Sequence, residues 1–445
     1  MPKQSLSKKP LFNLSMVLQE TGIKADTLRA WERRYQLPTP ARTEGGHRLF
    51  SAYDIEAIKW LIARQEEGMR ISQAVDYWRE LIDAGSDPLA EQSQQPVLKS
   101  TLPGIETARK PLSELTRSFI DYALDFDEEN AESALDAAFA QFPWEVVCTD
   151  LIFQGLSEIG ERWYSGEITV QQEHFTSELV TRKLSALAAA APPPFHPQKV
   201  LISSPPGEFH TIAPLMINLL LRYRGWEVAY LGANVPDDHL EDALDKVKPS
   251  LVIMIAARLT TAAALLRTSQ ILQDHSIPLA FGGNVFNNIP DLSKKIPGTF
   301  LNADLGKAIS QIESLLSAPD LPDTASAPEN QYLALWKEFK DKLPHLENQA
   351  LLAITEDRTG KIQNSVLTDA NSFLFQDILA ALALGDIQYL QPNFDWTKGL
   401  MKNRDYQLAE FKQYIKSFLE VTEERMSEQA QPLVDWLKAY LEELG

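Results

Sequence analysis

The stretch at residues 199–232, KVLISSPPGEFHTIAPLMINLLLRYRGWEVAYLG, decides the fold. Its opening run Val200-Leu201-Ile202 is short and apolar and runs into the turn-forming Ser203-Ser204-Pro205-Pro206-Gly207, which together predict a buried strand. After Glu208-Phe209-His210 apolar residues recur at helical spacing, Gly225 closes that helix, and residues 227–231 predict a second strand. A strand, a crossover helix and a second strand make a βαβ unit. In such a unit the loop after the first strand lies at the carboxyl edge of a parallel sheet, where open α/β folds bind their ligands. His210 falls in that loop, so its imidazole is placed to meet a bound molecule.

The same alternation continues downstream. Helix is predicted at 237–247, strand at 250–255, helix at 260–272, strand at 278–281 and a last helix at 305–316, which argues a flavodoxin-like doubly wound sheet. Upstream, residues 111–187 are helical throughout and predict a four-helix bundle. Within it Trp163 stands ten residues before the pair Glu173-His174, across a turn at Gly166. Trp163 then ends one helix, the pair begins the next, and both are able to face the same side of the bundle. A proline-rich segment at 188–198 joins bundle to sheet.

The head of the chain has a different character. Residues 14–22 read as a short helix closed by Gly22, and 24–35 as a second helix with Asp26 or Thr27 near its start. Two short helices across a tight turn make a helix-turn-helix. The second carries Thr27, Arg29, Arg33 and Arg34, and Pro38 and Pro40 end it. In TPARTEGGHRLFS, residues 39–51, a Glu44-Gly45-Gly46 turn between extended pieces predicts a β-hairpin wing bearing Arg42, His47 and Arg48. A helix in the major groove with a wing on the flanking backbone is a sound arrangement for reading DNA. Helices at 54–64 and 71–81 complete this domain, with Trp31 and Phe50 in its core.

Charge divides the chain in the same place. Residues 1–80 hold 13 Lys/Arg against 10 Asp/Glu, and the rest hold 29 against 51, so a head of +3 precedes a body of −22. The head alone is suited to nucleic acid, because phosphates repel the body. The single cysteine, Cys148, excludes an intramolecular disulfide and fits a reducing cytoplasm. No signal peptide or membrane span is expected, and seven scattered histidines with one cysteine supply neither a zinc cluster nor a hydrolytic triad. After a second linker, residues 332–445 are again helical. Trp336, Trp396 and Trp436 are expected in the core of that domain, which by default serves partner binding or oligomerisation.

DTLRAWERRYQLPTPARTEGGHRLFS, residues 26–51, closely resembles the recognition helix and wing of MerR-type transcription regulators. That resemblance implies a double-stranded DNA operator contacted by Arg29 and Arg48, with Thr27, Arg33, Arg42 and His47 behind them. Glu208-x-His210, followed by Phe281-Gly282-Gly283, resembles the cobalamin-binding fold. There the histidine is the lower axial ligand to cobalt, and Gly282 and Gly283 let backbone approach the buried nucleotide tail. Glu208 or a backbone carbonyl then fixes the imidazole tautomer. Trp163 with Glu173-His174 resembles the cap of the CarH/LitR-like photoreceptor class, in which the tryptophan packs on the adenosyl group and the Glu-His pair hydrogen-bonds or shields it.

This chain departs from the family pattern in three places. Tyr164 stands where light-sensing members commonly have histidine, Ala213 stands for the glycine three residues after the axial histidine, and Ile255-Ala256-Ala257-Arg258 replaces a serine-bearing strand end.

The sequence is thus read as multidomain: a winged helix-turn-helix at 10–82, a linker at 83–110, a helical cap bundle at 111–190, a Rossmann-like cobalamin-binding domain at 198–317, a linker at 318–331 and an all-α domain at 332–445. The expected function is that of a cytoplasmic repressor, not an enzyme. Its operator binding and homo-oligomeric state, dimer or tetramer, answer to adenosylcobalamin and to light. A regulator that senses another ligand or a protein partner is the second reading, and a corrinoid methyl carrier the third.

Overall fold

Apolar side chains at helical spacing need a partner surface, and at the head of the chain that surface is small and aromatic. The computed structural model describes residues 12–13, 16–17, 21, 23, 25–35, 37–42, 48–66, 71–83, 110–317, 331–356, 364–404 and 408–444. The chain forms two units, residues 1–107 and 108–445. The first contains strand β1 (Phe12–Asn13), helix α1 (Ala25–Tyr35), strands β2 (Ala41–Arg42) and β3 (Arg48–Phe50), and helices α2 (Ala52–Glu66) and α3 (Ile71–Asp83). Of residues 14–22, Met16, Val17 and Thr21 are helical and the rest lie outside the described residues.

The three strands pair antiparallel in the order β1-β3-β2, with Arg42 opposite Arg48. The wing is therefore a hairpin. Its tip, residues 43–47 with His47, lies outside the described residues. Leu28, Trp31, Phe50, Ile58 and Leu61 are buried together, and Trp60 meets Trp78 edge-on at 5.2 Å between centroids. Each such side chain contributes about 1.5–3 kcal/mol by leaving water, enough to hold a domain this small. Helix α2 starts on a reciprocal cap: the Ser51 amide donates to the Asp54 carboxylate and the Asp54 amide donates to the Ser51 hydroxyl oxygen.

The second unit opens with the bundle: α4 (Leu112–Leu124), α5 (Glu128–Gln141), α6 (Gln154–Ser165) and α7 (Val170–Ala189). A wider π-helical stretch, Val147–Phe153, leads into α6. The α/β layer follows with β4 (Lys199–Ser203), α8 (Ile212–Tyr223), β5 (Glu227–Gly232), α9 (Leu240–Val247), β6 (Leu251–Ile255), α10 (Leu259–Asp274), β7 (Leu279–Gly282), α11 (Asn284–Asn288), β8 (Thr299–Phe300) and α12 (Leu305–Ser317). All five strands are parallel, in the order β5-β4-β6-β7-β8. This is the doubly wound order whose crevice opens at the carboxyl ends of the first strands.

A strand buried on both faces feeds two cores, and here the two are distinct. Val200, Ile202, Leu251, Ile253, Ile255 and Ala280 join α8, α12 and the bundle in one core. Leu201, Val252, Met254, Leu279 and Phe281 face the other way and join α9, α10 and the C-terminal helices in the second. Those helices are α13 (Leu333–Glu356), α14 (Asn364–Leu384), α15 (Gln391–Asn403), α16 (Leu408–Arg425) and α17 (Gln431–Glu443). They pack on the α/β layer through α10 and α14, so they are no loose appendage. Trp436 is buried at 7% exposure, as expected for core, whereas Trp396 is 48% exposed and lies against the bundle. Expecting Trp396 in the core of its own domain is therefore wrong, because its helix presents it to another surface. The linkers at 83–110 and 318–331 fall almost wholly outside the described residues. No helix among the described residues is long and apolar enough to cross a membrane.

Candidate cofactor site

The loop after β4 is held from two sides. The Gly207 amide donates to Asn234 Oδ1 at 2.8 Å, and the Asn234 amide donates to the Glu208 carbonyl at 2.7 Å. Asn234 thus ties the β5 loop to the β4 loop. On the other side Arg258 Nη2 donates to the Gly207 carbonyl at 2.8 Å. Between these ties Glu208 points inward, 1% exposed, and His210 outward, its side chain 67% exposed.

Glu208 is the polar centre of the loop. One carboxylate oxygen accepts the His210 amide at 3.0 Å and the His210 Nδ1 proton at 2.6 Å. The other accepts the Ala257 amide at 2.6 Å and the Thr261 hydroxyl at 2.8 Å. Burial works against ionisation, but the hydrogen bonds from the His210 ring, the Ala257 and His210 amides and the Thr261 hydroxyl outweigh it, holding the carboxyl down at about 2. An ionised carboxylate only accepts, so Nδ1 must donate and the neutral ring carries its lone pair on Nε2. Of the two partners open to the imidazole from sequence, the carboxylate is the one used.

The surroundings suit a large ligand with both apolar and polar parts. Phe209 is 66% exposed beside His210, and Leu231 is 41% exposed at the end of β5. Ser203 Oγ and Ser204 Oγ, at the end of β4, are fully buried and have no hydrogen-bond partner among the described residues. Buried hydroxyls are costly when unpaired, so two at the carboxyl end of one strand call for a partner. Gly283 adopts φ 123°, and a Cβ there would stand 1.9 Å from the Ala256 carbonyl oxygen. Close approach of β6 backbone therefore already requires that glycine, whereas Gly282 has room for a Cβ.

In the bundle α6 ends on Gly166 at φ 83°, and α7 begins with a capping box between Thr169 and Gln172. This places Trp163 in the last turn of one helix and Glu173-His174 in the first turns of the next. Glu173 accepts from Ser177 Oγ and lies 2.7 Å from His174 Nδ1, while His174 is largely exposed. No hydrogen bond or ring contact joins Trp163 to either of them among the described residues. Trp163 is instead engaged by Trp396 and Arg404 of the C-terminal helices.

On the head, Thr27, Arg29, Arg33 and Arg34 are exposed on α1. Arg29 and Arg33 are one turn apart, a like-charge spacing that an anion relieves. Arg48 Nε pairs with Glu32 Oε2 at 2.8 Å, which fixes the wing to α1. Arg42 holds its place in β2 opposite Arg48. Among the described residues no group of His, Cys, Asp and Glu is placed to hold a metal ion by itself.

Asn234, Arg258, Thr261, Trp396 and Arg404 escaped the reading of the sequence as site residues. Asn234 had a signal, since it follows the predicted second strand at the same sheet edge. The others have no local signature, because long-range packing brings them in.

Comparison with known proteins agrees with this layout. Residues 12–81 match the model of the MerR HTH family regulatory protein, and residues 115–188 and 198–301 each match a B12 binding domain. The chain is 31% identical over 241 residues to the HTH-type transcriptional repressor CarH of Myxococcus xanthus, covering 54% of this chain and 77% of CarH. It is 29% identical over 245 residues to the repressor CarA of the same organism, covering 54% and 75%. To the trimethylamine corrinoid protein of Methanosarcina barkeri it is 24% identical over 162 residues, covering 34% and 73%. With a helix-turn-helix head, two B12-binding segments in sequence and CarH matched over most of its length, the chain belongs to the family of MerR-type transcriptional regulators that carry B12-binding domains.

Proposed function

We propose that the protein is a cobalamin-controlled transcriptional repressor. In this reading it holds adenosylcobalamin between the helical bundle and the carboxyl edge of the sheet and reads a double-stranded operator with its head. The observation that carries the reading is the Glu208–His210 pair: a buried, ionised carboxylate fixes Nδ1–H and leaves the Nε2 lone pair on an exposed ring at a sheet edge. His210 Nε2 would be the ligand that holds the cobalt. Ser203 and Ser204 would supply hydroxyls to the nucleotide tail near Gly282 and Gly283. Phe209 and Leu231 would offer apolar surface to the corrin, and Trp163, Glu173 and His174 would shield its other side. When bound, an alkylcobalamin supplies a coloured cobalt–carbon bond that visible light cleaves.

Thr27, Arg29 and Arg33 enter the major groove, and Arg42, His47 and Arg48 hold the flanking backbone. Joining two or four copies raises the local concentration of heads at the operator, so a cofactor that changes how the bodies associate changes repression. The chain acts as a regulator in the cytoplasm, not as an enzyme.

The test is absorbance after desalting, with size exclusion, for the wild type and His210→Ala loaded with adenosylcobalamin in darkness and then exposed to green light. The wild type is expected to keep the pigment and His210→Ala to hold it on the order of a hundredfold less tightly. No uptake by the wild type, or equal retention by the variant, overturns the cofactor assignment. An elution position indifferent to cofactor and light removes the control by assembly.

A further inference from the structure

The bundle and the C-terminal helices are anchored on opposite faces of the sheet, yet they meet where α6 ends. Trp163 stacks on Trp396 with centroids 6.2 Å apart and planes at 24°, and the Arg404 guanidinium lies 5.4 Å from its ring centre. The last carbonyls of a helix lack intrahelical partners and favour a cation. Here Arg404 Nη2 donates to the Trp163 carbonyl at 2.6 Å and Asn403 Nδ2 to the Tyr164 carbonyl at 3.1 Å. Tyr164, the residue that departs from the family's histidine, donates its hydroxyl to the Trp396 carbonyl at 3.2 Å. A Cβ on Gly399 would stand 1.8 Å from that hydroxyl, so α15 receives Tyr164 only because position 399 is glycine.

The same helix reaches the lower half of the site. Asn393, one turn before Trp396, hydrogen-bonds Asp377, and Asp377 feels the charge of Arg258, which holds the Gly207 carbonyl. The C-terminal helices thus meet the bundle at Trp163 and carry a carboxyl, Asp377, within the field of the Arg258 that holds the His210 loop.

We propose that Trp396 and Arg404 are specificity-determining residues for the upper ligand of the cobalamin. They hold Trp163, and a bulky organic group must compete with α15 for that indole while a small one need not. This rests on the cobalamin reading. An indole that already stacks on a second indole and lies near a guanidinium is engaged, so an adenine that stacks on a face they cover requires one of them to withdraw. Tyr164 in place of histidine serves that contact rather than the metal.

The experiment uses the full chain in darkness, with hydroxocobalamin as the small-ligand probe and adenosylcobalamin as the bulky one. Hydrogen exchange of residues 391–404 in the wild type is expected to rise with adenosylcobalamin and to stay unchanged with hydroxocobalamin, a readout that needs no variant to fold. Trp396→Ala and Arg404→Gln are expected to bind adenosylcobalamin about tenfold more tightly and hydroxocobalamin as before. Added protection of 391–404 by adenosylcobalamin, or variants that change both affinities alike or neither, overturns the proposal while uptake leaves the cobalamin reading standing. Uptake of neither cobalamin by the wild type removes both.

Discussion

At the scale of a residue, Glu208 carries the most consequence, being a carboxylate placed where carboxylates are costly and kept ionised by four donors. Glu208→Gln keeps the shape but turns one acceptor oxygen into a donor and removes the charge. Leaving buried donors unpaired costs about 1–3 kcal/mol, and the imidazole loses the partner that sets its tautomer. The variant is therefore expected to melt several degrees lower and to bind hydroxocobalamin about 10–100-fold more weakly, read by thermal unfolding and absorbance titration. Unchanged affinity in a destabilised variant would show that Glu208 serves the loop alone. Half of this arrangement was legible in the sequence. The two-residue spacing of Glu208 and His210 on a strand-end loop foretold their contact, but Ala257 and Thr261 lie 49 and 53 residues further on, and nothing local in the chain pairs them with the carboxylate.

At the scale of an element, helix α1 and the wing form one DNA-reading piece because Arg48 is pinned to Glu32. The pair is only partly exposed, at 27% for the Arg48 side chain and 13% for that of Glu32, and it orients the hairpin against the helix. Arg29 projects from the exposed face of α1. If it reads a guanine, Arg29→Ala costs about 1–3 kcal/mol at the preferred operator and relaxes base preference there, whereas Arg48→Ala weakens all operators alike. Titrating both variants against a panel of altered operators at one salt concentration separates the two, and identical losses everywhere would make Arg29 a phosphate contact only. The helix and hairpin themselves were plain from spacing, prolines and the Glu44-Gly45-Gly46 turn. Periodicity failed with Trp396: it shows that a helix face is apolar, never which surface the face will meet.

At the scale of the whole molecule, the C-terminal helices sit on the second face of the sheet, and one titrating group lies on their path to the cofactor loop. Strand alternation predicted two buried faces, but which part of the chain covers each was beyond the pattern, because any amphipathic helix satisfies it. Asp377 on α14 faces Asn393 and Arg258. Desolvation raises its carboxyl to about 6, and the Asn393 hydrogen bond and the Arg258 charge, both acting to lower it, do not prevail. A carboxyl with a raised folded-state value binds its proton more tightly in the folded chain. Its contribution to stability is therefore complete below the unfolded carboxyl range near pH 4 and is lost as pH rises through about 6. At pH 7.5 the fold carries an unwelcome charge at this contact. Asp377→Asn keeps a polar partner for Asn393 without that charge, so it is expected to stabilise the larger unit by about 1–3 kcal/mol at pH 7.5 and by about half as much at pH 5. Thermal unfolding of both proteins at the two pH values checks this: the wild type should lose more stability on going from pH 5 to 7.5 than the variant does. Parallel losses would mean that Asp377 titrates as it does in the unfolded chain and that its charge neither helps nor harms the fold.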